Sequence, residues 1–196
     1  MDLGISGKTA LVAASTGGLG LAIARALAAE GVRVAVTGRR SERAKEIAAE
    51  LDGISGAVLA GKGAVGIEAD LTTAEGIAAA VERTELELGP IDILVLNGPG
   101  PKPGAAATLS ADDIAAAFEL LVKPHHALVS HVLPGMRERR WGRILAVGSS
   151  GVVAPLPNLA VSNTGRAALA GYLKTLAAEV ALDAVTVNML LPGRIA

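Results

Sequence analysis

Six short apolar runs alternate with helical stretches along the chain, and this alternation constrains the fold more than any other feature. The runs are rich in Val, Ile, Leu and Ala and lie at residues 9–15, 32–40, 63–71, 91–98, 143–150 and 184–193. Strands that alternate with helices through short connections predict parallel β-α-β units. We therefore expect an α/β fold, in which helices cover both faces of a doubly wound parallel sheet to give three layers.

Two local features modify this pattern. Pro124 lies inside a helical stretch that runs from 110 to 142, and it predicts a break or kink because proline lacks a backbone N–H. The Gly-rich stretch 53–66 is longer than a tight connection between a helix and a strand requires. We expect a surface loop there.

Length and composition exclude several classes of protein. The 196 residues fit one domain with a sizeable core, and their formal net charge of -1 gives no general attraction to nucleic acid or to an anionic membrane. No run approaches the roughly 18 uninterrupted apolar residues of a membrane span. The chain has no cysteine, and its start has no signal-peptide layout. We expect a cytoplasmic protein that binds neither nucleic acid nor membrane.

The three histidines lie on one predicted helix, at 125, 126 and 131. The separation between His126 and His131 is not the i, i+4 spacing of a helical metal site. We therefore predict no metal site and assign these histidines no function.

Small and polar residues follow the predicted strands, at the edge where open parallel sheets bind ligands. After the first strand come Gly17, Gly18 and Gly20, directly before a helix. Glycines at such a turn let a phosphate approach the backbone, and the helix N-terminus offers unpaired N–H groups. The alternative is that Gly18 and Gly20 only allow the strand and the helix to pack closely.

Taken in order, these motifs resemble the short-chain dehydrogenase/reductase family along nearly the whole chain. The segment AASTGGLG (13–20) is similar to the family's TGxxxGxG, with alanines in place of its Thr and first Gly. Asp70 and Leu71 match the family's adenine-contacting pair, and Asn97 matches the first Asn of its NNAG motif. The resemblance implies a Rossmann-type fold and a nicotinamide dinucleotide cofactor.

The resemblance also implies which residues contact that cofactor. They are Ser15, Thr16, Gly18, Leu19 and Gly20 in the first turn, Asp70, Leu71 and Asn97 at later strand ends, Arg166 on a helix, and Pro192 and Gly193 beside the nicotinamide.

The residues at the end of the second strand bear on which cofactor is bound. An NAD site places a carboxylate there for the ribose 2′-hydroxyl, whereas an NADP site places a cation for the 2′-phosphate. This chain has Arg39 and Arg40 there and no acid. We predict NADP(H) rather than NAD(H), with Arg39 at the phosphate and Arg40 as the alternative. A solvated arginine pair that opens the next helix is the competing interpretation.

The resemblance places the reaction centre at Ser149, Ser162 and Arg166. Ser149 matches the family's Ser, with Ser150 as an adjacent alternative, while Ser162 and Arg166 stand where the family has its Tyr and Lys. The family's Asn falls near Leu121. The only tyrosine, Tyr172, lies six residues past Arg166 and about 120° away around the helix, so we interpret it as packing.

A Ser and an Arg cannot act as the usual Tyr-Lys pair, because a serine hydroxyl is a weak acid and an arginine stays protonated. We predict an NADP(H)-dependent oxidoreductase with a modified Ser/Arg centre, acting on a small ketone or 3-oxoacyl-type substrate. The alternative is an NADP-binding sensor or partner protein without catalysis.

The resemblance also predicts the domain organisation and the oligomeric state. We expect residues 1–196 to form a single dinucleotide-binding domain that lacks the family's usual C-terminal substrate segment. The helices at 110–139 and 160–183 resemble those that pair between subunits in the family, so we expect a homodimer or homotetramer.

Overall fold

A computed structural model describes residues 3–55 and 61–193, and in it six parallel strands form one sheet in the order β3-β2-β1-β4-β5-β6. The strands are β1 Thr9–Val12, β2 Arg33–Gly38, β3 Ala64–Glu68, β4 Ile93–Leu96, β5 Gly142–Val147 and β6 Val185–Leu190. Every pairing between neighbouring strands is parallel. The predicted doubly wound parallel sheet is confirmed.

Helices cover both faces of this sheet. They are α1 Gly18–Ala29, α2 Ser41–Ser55, α3 Ala74–Leu88, α4 Ala111–Leu121, α5 Lys123–Glu138 and α6 Ala160–Val180. One apolar cluster joins the sheet to α1 and α2, and the other joins it to α3, α5 and α6. All four residues of β1 and of β4 are buried, as expected for central strands covered on both faces. None of the helices in the described residues is long and apolar enough to cross a membrane.

The predicted break in the fourth helical stretch falls at Val122, two residues before Pro124. Helix α4 ends at Leu121 and α5 begins at Lys123, so that Pro124 occupies the first turn of α5. Proline is tolerated in a first turn because the N–H that it lacks has no partner within the helix there.

The loop expected over 53–66 is shorter than predicted. Helix α2 continues to Ser55 and β3 begins at Ala64, while 56–60 lie outside the described residues. The carboxylate of Asp52 accepts hydrogen bonds from the backbone N–H groups of Gly63 and Ala64, at 2.6 and 3.1 Å. These bonds fix the start of β3 against the end of α2, and glycine content alone does not reveal them.

Helices α4 and α6 approach each other closely at Gly165. An ideal Cβ placed there would lie 2.7 Å from Leu121 Cδ1 and 3.1 Å from the Ala117 carbonyl oxygen. Gly171, on the same helix, has open space at the corresponding position. Alanine substitutions at these two glycines therefore distinguish the effect of helix propensity on stability from the effect of packing.

We expect Gly171→Ala to raise the free energy of unfolding by about 0.5–1 kcal/mol, because alanine loses less backbone entropy in a helix. Gly165→Ala has the same gain in propensity but pushes α4 away, and we expect a net loss of about 1–3 kcal/mol. Urea unfolding of both variants measures the difference. Equal stabilisation by both substitutions would contradict the close approach of α4 and α6.

Candidate active site

A cleft of about 620 Å³ opens beyond the carboxyl ends of β1 to β4. Its walls include the turn after β1, Arg39 after β2, Asp70 after β3 and Asn97 after β4, with Pro124 and His125 of α5 opposite. Strand order reverses between β1 and β4, and open α/β sheets bind their ligands at such a point. The cleft therefore lies where the sequence predicts the cofactor.

The turn after β1 is open to the cleft. Gly17 is the N-cap of α1 and makes no side-chain capping bond, and the first turn of the helix contains no acidic residue. Gly18 has a φ of 53°, and an ideal Cβ on Gly17 or Gly18 would meet no atom within 4 Å. Unobstructed backbone N–H groups at a helix N-terminus suit a phosphate group. Thr16 and Leu19 line the cleft beside them.

Two residues predicted to contact the cofactor, Ser15 and Gly20, make close contacts within the protein beneath this turn. The buried Ser15 hydroxyl donates to the Val12 carbonyl at 2.7 Å and accepts from the Thr37 N–H at 3.0 Å. An ideal Cβ at Gly20 would lie 2.5 Å from the Ala14 carbonyl oxygen. The side chain of Ser15 therefore joins β1 to β2, and Gly20 allows α1 to pack closely on the turn, whereas Gly18 makes no such close approach. Cofactor contacts of these residues stay predictions.

Asn97 holds the two strands at the reversal point together. Its Nδ2 donates to the carbonyl oxygens of Ala13 and Ala14, each at 3.2 Å. Ala14 has a φ of 47°, a left-handed conformation that favours glycine. Asn97 thus helps to hold an alanine in a backbone conformation that favours glycine.

Arg39 and Asp70 stand on the rim of the cleft. The Asp70 carboxylate accepts from the Thr72 hydroxyl at 2.6 Å and from the Thr72 N–H at 3.0 Å. These two bonds hold the pKa of Asp70 below its usual value, and the positive charge of Arg39 lowers it further. Leu71 lines the cleft beside them. An exposed guanidinium here is free to meet a ribose phosphate.

Arg166 lies half-buried at the end of β5. Its Nη1 donates to the Val147 carbonyl at 2.8 Å, and its Nε donates to Ser162 Oγ at 3.3 Å. Ser162 precedes Arg166 by one helical turn, and this spacing brings the two side chains into contact. Burial lowers the pKa of Arg166 from its ordinary value, but a guanidinium remains protonated in proteins. The structure thus fixes a positive charge beside a hydroxyl.

Ser149 lies two residues beyond Val147, at the start of a short 3-10 turn. Its Oγ accepts from the Gly151 N–H at 3.1 Å, and the hydroxyl hydrogen is available to donate. The neighbouring Ser150 N–H donates to the Pro192 carbonyl at 3.0 Å, which brings the segment of Pro192 and Gly193 to the same end of the sheet. The predicted catalytic residues and this segment gather beyond β5 and β6; none of them lines the cleft, and Arg166 is close enough for its charge to act on the cleft residue His125.

Two loops beside this centre are linked through their backbones. The Gly104 N–H donates to the Asn158 carbonyl at 2.9 Å, and the Ala160 N–H donates to the Gly104 carbonyl at 3.0 Å. Asn163 Nδ2 also donates to the Leu156 carbonyl at 2.9 Å. The loop after β4 and the loop before α6 are therefore held together.

His125 is a cleft residue to which the sequence motifs assign no function. Its side chain is 6% exposed and lines the cleft, whereas His126 and His131 are exposed to solvent. Burial lowers the pKa of His125 and the charge of Arg166 adds to this, against smaller raising effects from the carbonyls of Leu121 and Asn97. Helical spacing from Leu121 and Leu128 places His125 on the buried face, and this spacing was the available signal.

Tyr172 packs against the apolar cluster of α3, α5 and α6 and lies 5.3 Å from the ring of His126, as the packing interpretation expects. Among residues 3–55 and 61–193, no three His, Asp or Glu side chains are grouped in a way that would hold a metal ion.

Comparisons with known proteins agree with this geometry. A family model described as short chain dehydrogenase matches residues 8–196. The 3-oxoacyl-[acyl-carrier-protein] reductase of Aquifex aeolicus is 35% identical over 195 residues, which are 98% of this chain and 76% of that protein.

Two solved structures are similar over most of the chain. L-sorbose reductase from Gluconobacter frateurii, complexed with NADPH and L-sorbose, has a TM-score of 0.90 and 35% identity, covering 100% of this chain and 73% of its own. The 3-ketoacyl-(acyl-carrier-protein) reductase of Brucella melitensis, complexed with NADH, has a TM-score of 0.85 and 28% identity, covering 96% of this chain and 76% of its own.

The lowered pKa of His125 has a consequence for stability. The unfolded chain binds a proton near pH 6.5 whereas the folded chain resists it, so the free energy of unfolding falls as the pH drops through 6.5. We expect His125→Gln, which stays neutral, to lose less stability than the wild type between pH 7.5 and 5.5. Thermal unfolding across this range measures it, with His126→Gln as the control. An equal loss in the wild type and His125→Gln would contradict the burial of His125.

Proposed function

Because this chain belongs to the short-chain dehydrogenase/reductase family and is an oxidoreductase of that family, we propose that it transfers hydride between NADP(H) and a carbonyl or alcohol substrate. The reaction centre in this proposal consists of Ser149, Ser162 and Arg166. The observation that carries it is the fixed guanidinium of Arg166 beside the Ser162 hydroxyl, together with the cleft of about 620 Å³ beyond β1 to β4.

The chain's own residues fit such a cofactor. The open turn at Gly17 and Gly18 would hold the pyrophosphate, and Arg39 would hold the 2′-phosphate. Asp70 and Leu71 would border the adenine, with Asn97 and its neighbours behind the riboses. Once bound, the nicotinamide supplies or accepts the hydride.

Arg166 has two roles in this proposal. One branch of its guanidinium is held by the Val147 carbonyl, which fixes the charge in place, and the remaining donors are free to bind ribose hydroxyls. The same charge stabilises an oxygen that becomes negative during carbonyl reduction, and a preorganised charge of this kind requires no rearrangement. Arg166 therefore acts by binding and by electrostatic stabilisation, and not as an acid or a base.

Ser149 and Ser162 supply hydroxyl groups beside that charge. Each serine can donate one hydrogen bond to the substrate oxygen, but a serine hydroxyl gives up its proton with difficulty near neutral pH. Water then delivers the proton that completes the alcohol. We expect slower proton transfer than at a tyrosine, and a rate that depends on water access.

Similarity to reductases of 3-oxoacyl groups and of a ketose supports a small ketone or 3-oxoacyl-type substrate. A homodimer or homotetramer through α4, α5 and α6 is part of the proposal. Ile114 and Phe118 on α4 are 37% and 40% exposed, and pairing of these helices would cover them.

The reaction centre is tested with Arg166→Ala and Ser162→Ala, using Lys174→Ala on the exposed face of α6 as a matched control. Loss of one preorganised donor lowers kcat by about 10²–10³-fold, and we expect a loss of at least this size for Arg166→Ala. NADPH oxidation with a panel of ketones and 3-oxoacyl thioesters measures it. Binding of NADPH without turnover on any substrate would favour a non-catalytic sensor or partner protein.

Cofactor choice is tested with Arg39→Asp and Arg40→Asp. Hydrogen bonds to a charged group contribute about 1.5–3 kcal/mol, so Arg39→Asp should weaken NADPH binding by about 10- to 100-fold. The new carboxylate should also improve NADH binding, and Arg40→Asp should change the preference little. Fluorescence titration with both cofactors measures the ratio of dissociation constants. A shift caused by Arg40→Asp alone would assign the phosphate to Arg40.

A further inference from the structure

His125 is a buried ionisable group that the proposed mechanism does not use. Of the ionisable side chains that line the described cleft, Arg39 and Asp70 stand at its exposed rim, and His125 forms part of its buried wall. A buried imidazole with a polar atom facing a ligand cleft is a candidate contact for that ligand.

The helix break fixes how His125 is protonated. Its Nδ1 lies 2.8 Å from the Leu121 carbonyl oxygen, at the end of α4. A carbonyl oxygen can only accept, so Nδ1 carries the hydrogen, and in the neutral ring Nε2 is then an acceptor. The break between α4 and α5 thus selects the tautomer that leaves a lone pair on Nε2.

The Nε2 edge of His125 lies against Gly98, which lines the cleft together with His125. An ideal Cβ at Gly98 would lie 3.8 Å from both Nε2 and Cε1 of His125, which places this edge of the ring against the segment after β4. The Asn97 carbonyl lies on the same side, close enough to favour a proton on His125. Two acceptors beside each other require a donor between them, either a proton on Nε2 or an O–H group from a ligand.

We propose that neutral His125 binds the dinucleotide by accepting a hydrogen bond from a ribose hydroxyl at Nε2, so that protonation of His125 weakens cofactor binding. This inference rests on the proposed function, because a dinucleotide in the cleft supplies the hydroxyl. Protonated His125 donates to the Asn97 carbonyl instead, and the two acceptors no longer need a donor from the ligand. A proton and a ribose hydroxyl therefore compete for one position.

The charges around His125 favour its neutral form. Arg166, from α6, is the charged group that acts on the ring, and its positive charge opposes protonation together with burial. On α5, Lys123 is exposed and pairs with Glu119. Arg39 and Asp70 face the cleft from the ends of β2 and β3. The site is thus ready for binding at neutral pH and loses affinity in acid.

The experiment measures the dissociation constant of NADPH by fluorescence between pH 5 and 8, for the wild type, His125→Gln and His126→Gln. Below the pKa of His125, wild-type affinity should fall by up to about tenfold per pH unit, as one proton competes with the ligand. His126→Gln should follow the wild type, and His125→Gln should lack this part of the pH dependence. The 2′-phosphate also titrates near pH 6, but it does so identically in all three proteins.

A second measurement needs no substitution at His125. Proton NMR follows the ring Hε1 signals of the three histidines during a pH titration, with His126→Gln and His131→Gln assigning two of them. Saturating NADPH should lower the pKa of His125 further, because the bound hydroxyl excludes the proton.

The outcomes are distinct. Parallel pH profiles for the wild type and His125→Gln, or an unchanged His125 pKa with NADPH bound, overturn the role of His125 and leave the proposed function standing. Absence of NADPH binding to the wild type at every pH overturns both.

Discussion

Two hydrogen bonds from one amide group connect the strands between which the cleft opens. Asn97, at the end of β4, donates to the carbonyls of Ala13 and Ala14 at the end of β1. Because strand order reverses between these neighbours, helices leave toward opposite faces and no connection covers the gap. Asn97 bridges the ends of these paired strands, and it helps to hold Ala14 in a conformation that costs an alanine of order 1 kcal/mol. The turn at Gly17 and Gly18, which opens to the cleft, begins at this contact.

The hydrophobic pattern of the sequence predicts the fold because each strand and helix shows locally which of its residues are buried. Central strands covered on both faces need continuous apolar runs, so the apolar run at residues 91–98 is enough to predict β4. The break near Pro124 follows from the missing N–H, and the contact between Ser162 and Arg166 follows from helical spacing. These features require no knowledge of which elements meet in space.

Other features depend on contacts between distant segments, and the sequence does not reveal them. The Ser15 hydroxyl accepts a hydrogen bond from the Thr37 N–H of the next strand, and its side chain is buried. The motif match that predicts Ser15 as a cofactor contact does not reveal this bond. Arg166 binds the Val147 carbonyl because α6 packs over the end of β5. His125 looks like a solvated or core histidine until the fold brings Asn97 and Arg166 to it. Side-chain roles at a site are thus set by tertiary partners.

The link between Gly104 and the segment before α6 couples two loops that follow different strands. Hydrogen bonds of Gly104 with Asn158 and Ala160 join the loop after β4 to the loop before α6, and the bond from Asn163 to Leu156 fixes the second loop on α6. Opening either loop alone would break main-chain bonds, whereas moving both preserves them. The position of the loop after β4 is therefore coupled to that of the segment that begins α6, the helix that carries Ser162 and Arg166.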